Sequence, residues 1–387
     1  MSAAGPGPSG TTGPEAPAGL PAGLAQGDLA GWMRDRFGIA EFTARALSVG
    51  RSNLTYLLEV DGAPRFVLRR PPLGHTGGSA HDVVREGRIM AGLANTPVPV
   101  PRIAALAEAG APLECPFVLM EYVPGSAMSE THHLTDLTPE ARKECGLRMI
   151  DVMAAIHTVD IDAVGLEWLR KPGSLLERQL RRWMLQFEAS AGRDLPIMHE
   201  LHAELVARMP QEGGPGAGTA GTRTGIAHGD FKPNNLIFGF SPPPRPRPAA
   251  LGTRPLAHTA EVPPVKAVVD WELTAYGDVL TDLGYFICTL ETQRDHAVVW
   301  MPTYADGMPS RADLIERYVT AGGSEPVDLP FYIAFAMWKL AAIREGVNAR
   351  IANGQMADLD LSAEVDWDAV PALAEQAREV LHSDIAS

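Results

Sequence analysis

The stretch Ile226–Gly239 reads IAHGDFKPNNLIFG. A His, an Asp, a Lys and two Asn crowd against a short apolar run. Such a cluster serves either a turn or a site. Pro233 stops a regular helix there and fixes part of the loop. The loop can therefore aim the carboxylate of Asp230 and the amide of Asn235 into one place. The Asp can accept a hydroxyl proton, and the Asn oxygen can bind Mg2+, which takes hard oxygen ligands. Further on, AVVDWE ends a β-type run with Asp270. A carboxylate at a strand end beside such a loop is placed to be the second metal ligand. Asp, Asn and Asp together are the minimum set for phosphoryl transfer from Mg-ATP. Taken singly, Asp230 is equally an Asp that satisfies loop amides, and Asp270 a helix cap. The ordered combination is what carries the reading.

Outward from this centre the chain changes character. Residues 1–26 are dominated by Gly, Pro, Ala and Ser and bury too little surface to offset ordering entropy, which predicts a disordered tail. DLAGWMRDRFG, from Asp28 to Gly38, reads as a short capped helix. LTYLLEV and RFVLRR are two strands joined by DGAP, a hairpin signal. SAHDVVREGRIMAGLAN has helical spacing, and PFVLMEYVPG is a buried strand leaving into a Pro-Gly turn. This predicts a small α+β lobe over 27–124. Beyond it, 125–387 reads as mostly helical, with PEARKECGLRMIDVMAAIHTV and SLLERQLRRWMLQFEAS as long helices, the second capped by Ser174. A Pro-rich insert, 241–264, separates the polar loop from Asp270.

HGDFKPNNLIF followed by VVDWELTAYGDVLTDLGYF resembles the aminoglycoside phosphotransferase-like family, which shares its fold with protein kinases. The branch it resembles is the kinase-like domain attached to some acyl-CoA dehydrogenases. The likeness runs from about Ala40 to Asn353. It implies an α+β, protein kinase-like two-lobed fold, with an antiparallel sheet in the small N-terminal lobe. It implies Asp230 as catalytic base, Asn235 and Asp270 as Mg2+ ligands, and His228 as a support for the loop. Lys232 is expected to contact the transferred phosphate. Glu272 is expected either to reach metal or solvent or only to cap the following turn. Asp278 and Asp282 are expected to anchor the loop through backbone and Arg contacts.

On the N-terminal side, the resemblance makes VGRSNLTYLLEV the phosphate-covering turn, with Gly50, Ser52 and Asn53 at its tip. Arg69 stands where the family has a basic residue on the third strand, with Glu86 as its ion-pair partner. Glu121, Tyr122 and Val123 are the hinge whose backbone would bond adenine. The cofactors implied are ATP (or GTP) and Mg2+, and the acceptor is a small-molecule hydroxyl.

The acceptor's character has its own sequence signal. Arg178, Arg181 and Arg182 recur along one helix beside Trp183, and Trp338, Lys339, Arg344 and Arg350 follow on another. Arg182, Trp183, Trp338, Arg344 and Glu272 are the candidate acceptor contacts. Basic helices favour an anionic acceptor, and the branch resemblance points to a hydroxy acid or a hydroxyacyl thioester. Antibiotic-modifying relatives bind polycations instead. Two further readings compete: a nucleotide-binding pseudokinase, and a metallohydrolase using His228, Asp230, Asp270 and Glu272.

The bulk properties set bounds. A net charge of −14 over 387 residues argues against nonspecific nucleic-acid binding. Cys115, Cys145 and Cys288 lie far apart without CxxC spacing, which fits a reducing compartment. There is no run long enough for a membrane span and no basic start with an apolar core, so a cytoplasmic monomer or homodimer is expected.

Overall fold

The structure, a computed structural model, describes residues 20–21, 23–25, 27–48, 53–73, 82–108, 110, 112–128, 136–190, 192–211, 224–240, 260–295, 307–354 and 365–383, with backbone alone at 48 and 291–295. Gly50, Ser52, most of the N-terminal tail and 241–259 of the Pro-rich insert lie outside them. The chain divides into two compact units, one within 1–88 and 102–122, the other within 89–101 and 123–387.

The first unit is built on α1 (Leu29–Phe37), β1 (Thr43–Ser48), β2 (Leu54–Val60), β3 (Ala63–Arg70), the start of α2 (Val83–Leu93), β4 (Ile103–Ala107) and β5 (Phe117–Glu121). The strands form one antiparallel sheet in the order β1-β2-β3-β5-β4. The β2–β3 turn is Asp61–Gly62, with φ of 53° and 75°. Two left-handed residues in succession match the right-handed twist of the flanking strands, which is why Asp-Gly marks the hairpin. Tyr56 and Leu58, Phe66 and Leu68, and Phe117 and Leu119 alternate onto one face of their strands. There they form a core with Leu29 and Met33 of α1. Asp28 caps α1 by accepting from the Gly31 N–H at 2.7 Å.

The second unit holds β6 (Ser126–Ala127), α3 (Pro139–His157), α4 (Leu175–Ser190), α5 (Pro196–Ala207), β7 (Thr224–Ala227), β8 (Leu236–Phe238), β9 (Val265–Val268), β10 (Ala275–Asp278), α6 (Leu280–Asp295), α7 (Arg311–Thr320), α8 (Leu329–Ala352) and α9 (Ala369–Leu381). Its strands are few and short: β7 pairs with β10, and β8 lies between β6 and β9. Helices carry the rest. α8 is buried almost all round from Leu329 to Asn348, the pattern of a central helix rather than a surface one. α4, α6 and α9 pack on it. The Glu177 N–H donates to Ser174 Oγ at 3.4 Å, so α4 starts where its capping signal stands. Among the described residues no helix is long and apolar enough to cross a membrane.

Candidate active site

The polar loop leaves β7 at Ala227 and reaches β8 through a single 3-10 turn, Pro233–Asn235. Its first residues are pinned from behind by Asp282 of α6. The fully buried Asp282 carboxylate accepts the His228 N–H at 2.6 Å and the Gly229 N–H at 2.8 Å. His157 of α3 donates to the same group at 3.2 Å and meets the Tyr318 hydroxyl at 2.7 Å through its other nitrogen. Burial alone would raise the Asp282 pKa, but the bonds from His157 and the loop amides outweigh it and hold the carboxyl below its ordinary value. The anchor expected from an Arg is thus an imidazole here. Asp278 caps α6 through the Leu280 N–H at 3.0 Å and accepts the Tyr332 hydroxyl at 2.7 Å.

His228 is scaffold. It is fully buried, and burial pulls its pKa down, so the ring is neutral. Nε2 donates to the Val269 carbonyl at 3.1 Å, and Nδ1 accepts the Asp230 N–H at 3.3 Å. That bonding pattern assigns the proton to Nε2. Gly229 sits at φ 84°, and a Cβ there would lie 2.5 Å from the Leu273 carbonyl oxygen. Gly229→Ala is therefore expected to cost about 2 kcal/mol or more of stability, from left-handed strain plus the clash. A denaturant midpoint unchanged from the parent would contradict this.

The loop then delivers Asp230 into a set of three donors, with a further cation near them. Tyr285 of α6 donates to Oδ1 at 3.0 Å. Asn235 donates to Oδ2 at 3.0 Å, and Lys232 Nζ lies 2.8 Å from the same oxygen. Lys339 of α8 stands close by, donating to the Gly229 carbonyl at 2.8 Å. Burial would push the Asp230 pKa up, but Lys232 and Lys339 reverse this and keep the carboxylate ionised. The Tyr285 hydroxyl is driven the other way, raised by burial and by Asp230, so it stays a donor.

Asn235 links this loop to Asp270. Its side-chain N–H groups are committed to the Asp230 carbonyl (2.9 Å) and carboxylate, which leaves Oδ1 as its acceptor atom. Its backbone carbonyl accepts the Val269 N–H at 2.9 Å, and Leu236 pairs with Val268. Asp270 follows at once, in a left-handed conformation with φ 67° that turns the chain out of β9. Asp270 and Glu272 bring carboxylate oxygens within 4.8 Å of each other. Asn235 Oδ1 and these two carboxylates are hard oxygen donors of the kind Mg2+ takes, so the residues present suit that ion.

In the first unit, Arg69 of β3 and Glu86 of α2 form an ion pair at 3.3 Å, both largely buried. Asn53 Nδ2 donates to the same Glu86 at 2.9 Å. At the end of β5, the Glu121 N–H donates to the Arg102 carbonyl and the Tyr122 N–H to the Arg65 carbonyl, at 2.8 and 3.0 Å. The two N–H groups expected to meet adenine are thus bonded within the protein.

Residues 43–245, more than half of the chain, match the family described as phosphotransferase enzymes. The chain belongs to this phosphotransferase family. Its relatives include mouse acyl-CoA dehydrogenase family member 10, 32% identical over 82% of this chain. The chain spans only 28% of that protein's length. Among solved structures, a Ralstonia eutropha protein assigned to the aminoglycoside phosphotransferases is 30% identical. It superposes with a TM-score of 0.68 over 91% of this chain and 97% of its own. The aminoglycoside phosphotransferase APH(4)-Ia, solved with ADP and hygromycin B, shares the fold at 15% identity and a TM-score of 0.53, with 93% and 100% covered.

Within this family member, the acceptor contacts expected from the sequence do not all converge. Trp338 is fully buried in the core, its indole N–H bonded to the Met198 carbonyl at 3.1 Å. Helical spacing cannot tell such a residue from a site-facing one when the whole helix is buried. Arg344 is likewise buried further along α8. Trp183 is buried, with its N–H on Gln179 Oε1 at 2.9 Å, and exposed Arg182 lies over its ring, 5.6 Å from the centroid. The sequence reading names Lys339 among the basic residues of its helix but not as a candidate contact, and does not name Tyr285 at all. Lys339 is the neighbour of Trp338 on α8, and the helical twist turns it to the loop. Tyr285 stands three residues after Asp282, so one turn of α6 presents both to the same segment.

Proposed function

We propose that this chain transfers the γ-phosphoryl group of ATP (or GTP) to a hydroxyl group of a small molecule, with Mg2+. The observation that carries the reading is the construction around Asp230. An ionised carboxylate is fixed through both oxygens, and Asn235, whose side chain donates to it, accepts with its own backbone carbonyl the N–H of Val269, the residue before Asp270. Such a fixed carboxylate suits the role of base. Asp230 orients the acceptor hydroxyl and takes its proton. The acceptor oxygen bonds to the γ-phosphorus as the bond to the nucleoside diphosphate oxygen breaks. Mg2+, when bound by Asn235, Asp270 and Glu272, would neutralise charge on the phosphates. Lys232 is placed to meet the transferred group, since it already lies on Asp230 Oδ2. Arg69, held by Glu86, is the candidate for the other phosphates. Most of the rate enhancement then comes from positioning and fixed charge rather than covalent chemistry.

The complete set Asp230, Asn235 and Asp270 favours an enzyme over a nucleotide-binding regulatory module. No His-rich ligand set accompanies it among the described residues, and His228 has both nitrogens occupied, which counts against a metallohydrolase. The deciding experiment is ATP consumption by the full chain with Mg2+ across hydroxyl acceptors, including hydroxy acids, hydroxyacyl thioesters and aminoglycosides. Acceptor-dependent ADP formation is expected from one class. Equal background ADP with every acceptor would end the reading.

A further inference from the structure

Two polar side chains lie buried against the loop that carries Asp230, and neither is accounted for by nucleotide, metal or acceptor. Tyr285 of α6 is 5% exposed and Lys339 of α8 is 7% exposed. Burying a hydroxyl and an ammonium costs free energy, and Phe and Met would fill similar space without that cost. Packing alone therefore does not explain them. Each spends a donor on the loop. The Tyr285 hydroxyl donates to Asp230 Oδ1 at 3.0 Å, and the Lys339 ammonium donates to the Gly229 carbonyl at 2.8 Å. The two also hold each other, since the ammonium lies 4.6 Å from the Tyr285 ring centroid, within cation–π range. Burial pulls the Lys339 pKa down, and the charges of Asp230 and Asp282 oppose this.

The Gly229 carbonyl belongs to the peptide group that joins Gly229 to Asp230. Gly229 has φ 84°, and a glycine is the joint at which a chain turns most easily. Lys339 holds the carbonyl of that peptide group, and His228 Nδ1 holds its N–H at 3.3 Å. On the other side of the joint, Asp282 holds the Gly229 N–H at 2.8 Å. Together these bonds give the backbone that presents Asp230 a single setting. The side chain is fixed in turn, by Tyr285 on Oδ1 and by Asn235 and Lys232 on Oδ2. Lys232 must leave Asp230 if it is to meet the transferred phosphoryl group. Tyr285 on one oxygen and Asn235 on the other are then what keeps the carboxylate from rotating.

Resting on the phosphotransferase reading, we propose that Lys339 and Tyr285 are positioning residues that set the rate of transfer through Asp230. Lys339 locks the peptide group before it, and Tyr285 locks its carboxylate. Neither touches the acceptor or the phosphates. Their effect on the rate therefore exists only while the Asp230 carboxylate is present.

The test is a double-mutant cycle on the full chain, read by single-turnover phosphoryl transfer to the acceptor that supports ADP formation. Tyr285→Phe and Lys339→Met are each expected to slow transfer by about tenfold to hundredfold, with Mg-nucleotide affinity close to that of the parent. In the Asp230→Ala background the same substitutions should change the residual rate by less than about twofold. Lys339→Arg, which keeps a donor, should recover part of the loss. Losses that multiply in the Asp230→Ala background, or that fall on nucleotide affinity instead of rate, overturn the proposal. Residues that touch substrate or only hold the fold would act in both backgrounds. Should Lys339→Met fail to fold by circular dichroism, Tyr285→Phe, which removes one hydroxyl, carries the cycle alone. Crystal structures of the parent and Tyr285→Phe read the geometry without turnover. An Asp230 carboxylate that turns or splits into two orientations in the variant supports the proposal, and an unmoved one overturns it. A chain that transfers phosphoryl groups at an unchanged rate in both variants keeps the phosphotransferase reading and loses this one. A parent that phosphorylates no acceptor, with the carboxylate displaced in the variant, loses that reading and keeps the two residues as the holders of Asp230.

Discussion

Asp230→Ala is expected to lower single-turnover phosphoryl transfer by about 10³-fold or more while Mg-nucleotide affinity changes little. The size follows from what the carboxylate does. It is the proposed proton acceptor, and its charge is balanced by Lys232 and Lys339. Removing it leaves two cations facing the acceptor oxygen with no base. The loop should survive the change. Asn235 Nδ2 still has the Asp230 backbone carbonyl at 2.9 Å, and Asp282 still holds the His228 and Gly229 amides. The candidate metal ligands Asn235 and Asp270 are untouched. Rapid-quench measurement of one turnover, alongside equilibrium nucleotide binding, checks both halves. A rate within tenfold of the parent would remove Asp230 from the chemistry.

Asp282→Ala should have the largest effect on stability. The substitution strips the acceptor from two buried backbone N–H groups and from His157. Each orphaned donor costs on the order of 1–3 kcal/mol, so a total of about 4 kcal/mol is reasonable. For a domain of this size that is a fall in Tm of roughly 10 °C. Activity should fall with it, since the same carboxylate sets the start of the loop that carries Asp230, the proposed base, and misplacement by an ångström is worth about 10²-fold. Asp282→Asn, with the same volume and one acceptor oxygen, should be intermediate. The pH dependence has a definite sign. The folded pKa of Asp282 is depressed below 3.8, the ordinary carboxyl value. Its contribution is therefore fully present above that value and is lost as pH falls through the lower folded pKa. Asp282→Ala should accordingly lose stability at neutral pH and show a shallower further loss on acidification than the parent. Thermal unfolding from pH 7 down to pH 3 measures this, and parallel curves for the two chains would refute it.

The β2–β3 hairpin shows what a sequence can disclose unaided. Asp61–Gly62 specifies a turn with two positive φ angles, and alternating apolar residues on either side specify which face is buried. These signals act between neighbours in the chain, so they can be read without coordinates. The capped starts of α1 and α4 are legible for the same reason. The pairing of Arg69 with Glu86 was legible only through the family resemblance, because nothing local to either residue names the other.

The site divides along the same line. Asp230, Asn235 and Asp270 stand out in the sequence because Pro233 and the short strands fix their backbone locally. Their hydrogen-bond partners do not stand out. Trp338 and Lys339 are adjacent on α8, yet one fills the core and the other reaches the Gly229 carbonyl. An amphipathic pattern would separate them, but α8 is buried on nearly every side and has no such pattern. Arg182 and Arg344 were as conspicuous in the sequence as Lys339. The sequence by itself determined the hairpin, the helical second unit and the loop that carries the chemistry, since each follows from local conformational preference. Tertiary structure alone decided that His157 and Asp282 brace the loop, that Tyr285 holds Asp230, and that Lys339 lies beside it. Those contacts join residues more than fifty positions apart along the chain, where only packing decides which side chains meet.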